Sequence, residues 1–88
     1  MSDPRLTAFS GTHADLALRG QVAAAQFVQP EPQRITCPIA DLLTNPEGPR
    51  TRQLLLGEEV GVIEARGAMA FVQAARDGYV GWVARAAL

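Results

Sequence analysis

The sequence contains no lysine, and among its 88 residues there is one cysteine, one histidine, one tryptophan and one tyrosine. Each scarcity excludes something. A single thiol cannot build an internal disulfide framework, and Cys37 with His13 cannot supply the ligand set of a zinc site, so no metal and no cofactor are expected. Thiol catalysis needs a thiolate, an imidazole to deprotonate it and a third group to orient the imidazole. Cys37 is followed by Pro38 and does not open a long helix, whose N-terminal dipole would lower a thiol pKa. It reads as a small apolar residue in a strand. His13 lies far upstream in a polar stretch. No catalytic residue is assigned.

Other absences bound partners and place. The eight positive charges are all arginine and are dispersed, and the net charge is −1. That is not the clustered basic excess of a nucleic-acid binder. No apolar run approaches the roughly 20 residues of a membrane span. The opening "MSDPRLTAFSG" has an acid and a proline beside the Met and no apolar core, so it does not read as a secretory signal. A cytoplasmic protein without nucleic-acid or membrane partners is expected.

What is present suffices for one small core. The hydrophobic content is 48%, and a chain of this length buries roughly 60–65% of its unfolded surface. Residues 1–18 read as an irregular arm, with a short helix in "THADLAL" capped by Thr12. The remainder, 19–88, reads as the folded body. "GQVAAAQFV" suggests a strand with Val22 and Val28 on one face. "QPEPQ" reads as a linker, because Pro30 and Pro32 remove two backbone donors. "QRITCP" reads as a short strand. "IADLLTNPEGPR" reads as a long structured loop with an Asn-Pro-Glu-Gly turn.

From Gln53 the pattern changes to strand, turn, strand, turn, strand. "EEVGVIEA", "AMAFVQAA" and "YVGWV" recur at intervals of about ten residues, the spacing of a meander. Asp77-Gly78 reads as a two-residue hairpin turn with both residues at positive φ. A meander plus one or two earlier strands in so short a chain implies an all-β barrel of five to six short strands. Period-two alternation puts Tyr79, Gly81 and Val83 on one face and Val80 and Trp82 on the other. Both faces are apolar, so alternation alone does not say which is core. Glu58 and Glu59 point to opposite faces and form no paired-carboxylate site. Arg50 and Arg52 fall on one side of an extended segment and could grip a carboxylate or an acidic partner.

The stretch Leu54, Leu55, Gly57, Glu58, then Phe71 and Val72, then "DGYVGWV" from Asp77 to Val83, resembles the bacterial SH3-like (SH3b) domain. With "RLTAFSGTHADLALRGQV" and "RITCPIADLLTNPEGPRTRQLL" upstream, nearly the whole chain is similar to the N-terminal SH3 domain of NlpC-type cysteine peptidases that resemble dipeptidyl-peptidase VI. Phe71 stands where such domains commonly carry Trp, and Ala84 where Pro often follows. The resemblance implies an SH3-like barrel and a non-catalytic module that targets or gates substrate for a cell-wall-peptide (γ-D-glutamyl–diamino acid) endopeptidase. Its catalytic cysteine-peptidase domain, joined in cis, would lie outside this chain, with Leu88 near the junction. Ligand or interdomain binding is expected at Tyr79, Trp82, Phe71 and Arg52. A general protein–protein adaptor is the alternative.

Overall fold

The computed structural model describes residues 6–88; Arg5, at the start of the similarity noted above, lies outside them. Among the described residues eight strands follow in chain order: β1 His13–Asp15, β2 Gln26–Val28, β3 Glu31–Arg34, β4 Ile39–Leu43, β5 Arg50–Leu55, β6 Glu59–Arg66, β7 Met69–Ala74 and β8 Val80–Ala84. β1 and β2 form a small parallel pair. The other six form one antiparallel sheet in the order β3-β6-β7-β8-β4-β5. Backbone bonds Ile35 N–Glu58 O (3.0 Å), Gly57 N–Ile35 O (2.8 Å) and Leu56 N–Pro38 O (3.1 Å) join the chain after β3 to the turn after β5. The two ends of the sheet therefore curl towards each other, as an all-β SH3-like barrel requires.

The meander β6–β7–β8 lies where alternation and turn residues predict it. Its turns differ in detail. β6 and β7 are joined by Gly67-Ala68 alone, with Gly67 at φ 59°. That is the glycine-first pattern of a two-residue hairpin. The Asp77-Gly78 step is not a two-residue turn. No non-glycine residue among the described residues has positive φ, so Asp77 keeps an ordinary backbone and only Gly78 is left-handed, at 79°. The loop spans 75–78: Ala74 N donates to Tyr79 O (2.8 Å) and Gly78 N to Ala74 O (2.9 Å). The Asp77 carboxylate accepts from Tyr79 N at 3.1 Å, a side-chain turn that replaces the expected one.

The first half of the chain departs further from expectation. "QPEPQ" is not a linker, because Glu31–Arg34 pairs with β6. Pro32 is tolerated because β3 is an edge strand, where one side needs no donor. Residues 35–38, expected in a strand, serve instead as the bridge just described. Ile39–Leu43 is a strand, not a loop; its buried positions Ala40 and Leu42 alternate strictly with exposed Ile39 and Asp41. "GQVAAAQFV" yields only Gln26–Val28 as strand. The expected helix in "THADLAL" is a strand and one 3-10 turn, Leu16–Leu18, capped by Asp15 through Ala17 N at 3.0 Å. Thr12 does not cap it, since its hydroxyl bonds Glu64 instead (3.0 Å).

Two apolar clusters result. The inner one holds Ile35, Ala40, Leu42, Leu54, Val60, Ala70, Val72, Ala74, Val83 and Ala87. The outer one holds Ala8, Ile63, Phe71 and Trp82, with Leu18, Val28, Leu43, Met69 and Val80 packed against them. β7 and β8 thus bury both faces, one in the barrel and one beneath the arm. A bulge between Val62 and Glu64 produces the second cluster. It places Ile63 in the outer cluster and pairs Glu64 with Phe71.

Glu64 fastens the arm. Its Oε1 accepts from the Ser10 hydroxyl (2.5 Å) and the Thr12 hydroxyl (3.0 Å), and its Oε2 from Arg66 Nε (2.9 Å). His13 Nδ1 lies 3.5 Å from Oε1. Burial pushes the carboxyl upward, but the bonds from Ser10, Thr12 and Arg66 and the Arg66 charge outweigh it and hold Glu64 below its ordinary value. Stability from this group is therefore present above the ordinary value and lost as pH falls through the depressed one.

Two outcomes are expected in urea unfolding. Glu64→Ala strands two arm hydroxyls and should cost about 1–3 kcal/mol at neutral pH. The difference from wild type should shrink as pH drops below the usual glutamate range. Gly81→Ala should cost about 1–3 kcal/mol by overpacking, because a Cβ there would sit 2.7 Å from Leu42 Cγ and from Leu43 O.

Candidate functional site

The residues expected to form one binding surface fall into two places. Phe71 and Trp82 are 4% and 3% exposed. Their ring centroids are 5.4 Å apart with the planes tilted at 56°, a contact that adds to the cohesion of the core. Trp82 is further covered by the Arg66 guanidinium, 4.8 Å from its centroid. The choice that alternation leaves open is thus resolved: Trp82 and Val83 are both buried, in opposite clusters. A cleft of about 420 Å³ at the β3 edge is lined by Pro32, Gln33, Arg34, Thr36 and Glu59 and includes neither aromatic. Another, about 270 Å³, opens between the arm and the sheet; Phe71 and Trp82 themselves line it, with Phe9 and Ser10 from the arm and Thr44, Thr51, Val80 and Gly81 from the sheet side.

Arg52 and Tyr79 stand together elsewhere. The register shifts between Leu42 and Leu43, so that Leu42 faces Arg52 and Leu43 faces Arg50, with Thr51 as the extra residue. Paired residues share a face. Arg52 therefore continues the inward row of Leu54 and emerges where the core ends, whereas Arg50 is on the outer face, 3.6 Å from Asp41. The expected pairing of Arg50 and Arg52 on one side fails for this reason: an extra residue inverts the alternation. Arg52 lies over the Tyr79 ring, 4.2 Å from its centroid. Its Nη1 donates to Asp77 Oδ2. Tyr79 is half-buried against the inner cluster. The arginine, the tyrosine and the aspartate form a bracket at the barrel mouth, built by the 75–78 loop and the end of β5.

Cys37 is half-buried and its Sγ donates to Ile39 O at 3.3 Å. His13 faces Thr12 and Glu64 on the arm. The two engage different partners in different elements. Among the described residues no group of three or more His, Cys, Asp or Glu side chains could hold a metal. Glu58, expected on a strand, lies before β6 and accepts from Leu55 N at 2.7 Å, closing the turn in which Gly57 is left-handed at 85°.

Sequence reasoning assigns no role to the Glu64 carboxylate or to the Asp77 side chain. Glu64 carried one signal, a charge inside the apolar run "GVIEA". Asp77 was read only for its backbone, although its carboxylate is what orders the bracket.

The comparisons with known proteins agree with this architecture. The family described as bacterial dipeptidyl-peptidase SH3 domain matches residues 42–88, from β4 through the C-terminus and including Arg52, Asp77 and Tyr79. No curated protein and no solved structure matches significantly. With more than half of the 88 residues matched to that family, and the meander, edge strands and barrel closure in place, the chain belongs to the bacterial dipeptidyl-peptidase SH3 domain family.

Proposed function

We propose that this chain is a non-catalytic SH3b module that targets or gates substrate for a cysteine endopeptidase of the NlpC type, acting on cell-wall peptides at γ-D-glutamyl–diamino acid bonds. Its partners on this reading are a catalytic domain joined in cis and the peptide. The observation that carries the reading is the Arg52–Tyr79–Asp77 bracket at the barrel mouth, in a domain whose family is associated with dipeptidyl-peptidases. The charged ends of the bracket, Arg52 and Asp77, are partly exposed while Tyr79 rests on the inner cluster, so the bracket is both anchored and open to a ligand. Phe71 and Trp82 act on this reading by joining β7 to β8 beneath the arm, which supports the 75–78 loop between them.

The cis partner has a surface to rest on. Ile39 is 53% exposed, Leu55 49% and Leu56 63%, and Ile39 and Leu55 are cross-strand neighbours. An apolar patch of this kind on a small domain marks contact with another protein surface. The same patch would serve a free-standing adaptor. An adaptor would capture a protein and ignore cell-wall peptide, whereas the gating module would respond to peptide.

The purified chain should not hydrolyse a γ-D-glutamyl–diamino acid peptide, with or without thiol reductant. Turnover followed by release of the free amine, abolished in Cys37→Ala, would overturn the reading.

A further inference from the structure

We infer that Arg52 is a carboxylate-reading residue, and that it takes the free α-carboxylate of a γ-linked glutamyl residue. The inference rests on the proposed reading of the chain as a cell-wall-peptide module and names which part of the peptide the bracket recognises.

The geometry of the guanidinium carries it. Arginine presents five N–H donors in one plane, and a carboxylate is best held by two parallel donors along one edge. Asp77 engages Nη1 only. Among the described residues Nε and Nη2 have no partner. The Tyr79 ring covers one face of the plane at 4.2 Å, so the side chain is held before any ligand arrives. Asp77 is held in turn by Tyr79 N at 3.1 Å. The Arg52 side chain is 38% exposed and stands at the mouth rather than inside the barrel. An incoming carboxylate can therefore use the Nε–Nη2 edge without displacing Asp77 and without disturbing either core.

The charge of the site selects among anions. Asp77 already occupies Nη1, so a doubly charged phosphate would meet a carboxylate at close range. A singly charged carboxylate meets less repulsion and matches the bidentate edge. A γ-glutamyl linkage supplies that group: the amide is made by the side-chain carboxyl, which leaves the α-carboxylate free beside the linkage. Replacing it by a carboxamide removes the charge and keeps the shape.

The test uses the full chain, labelled with ¹⁵N, titrated with L-alanyl-γ-D-glutamyl-diaminopimelic acid and with the same peptide carrying an α-carboxamide on the glutamyl residue. The free acid should shift the Arg52 Nε–H and Tyr79 amide signals. The carboxamide should bind about tenfold more weakly, the size of one lost charge-assisted pair. Arg52→Lys, which keeps charge but not the fork, should lose a similar factor for the acid while its other amide signals show the native fold. Equal binding of the two peptides, or unchanged affinity in Arg52→Lys, would overturn the role of Arg52 and leave the peptide-module reading standing. No shift with either peptide would overturn both.

Discussion

The rest of the structure depends on one constraint: β7 and β8 must be covered on both faces. A two-strand segment in a small barrel normally shows one face to water. Here Val72 and Val83 are fully buried inside, and Phe71 and Trp82 almost fully buried outside. The outer cover is the arm, and it offers little apolar bulk, with Ala8 as its one buried member of the outer cluster. The polar bonds to Glu64 supply what the arm lacks in volume. A buried carboxylate is stable only when its lone pairs are satisfied, and the Ser10 and Thr12 hydroxyls satisfy them only when the arm is closed. Packing and hydrogen bonding are thus one event.

The same constraint separates the expected site residues into two places. Phe71 and Trp82 belong to the outer cluster and also line the cleft between the arm and the sheet. Arg52, Tyr79 and Asp77 stand apart at the barrel mouth, ordered by one another and by the packing of Tyr79 on the inner cluster. Tyr79 links the two roles, since one edge packs on the inner cluster and its ring supports the guanidinium. The family match covers the strands that carry the bracket and excludes the arm.

The second half of the chain was legible because its strands obey local rules. Alternation and the glycines at 57, 67 and 78 place β6, β7 and β8 within a residue or two. The two bulges were not legible. Nothing in "GVIEA" or "RTRQ" announces an extra residue, because a bulge is fixed by the partner strand. Each bulge changed the face of a charged residue, which is why Glu64 was passed over and Arg50 was grouped with Arg52. The first half was hidden for another reason. Pro32 forbids a central strand but not an edge strand, and edge status is a property of the sheet. The apolar quality of both faces of "YVGWV" was the visible trace of the double cover; what supplied the second cover was not readable from alternation.

Trp82 is the only tryptophan in the chain, so its fluorescence reports the covered face alone. Collisional quenching by acrylamide at neutral pH tests the double cover most directly. The account predicts a blue-shifted emission that acrylamide barely quenches in the native chain, and free quenching once the chain is unfolded in urea. Native emission resembling that of tryptophan in water, quenched as readily before unfolding as after, would contradict it.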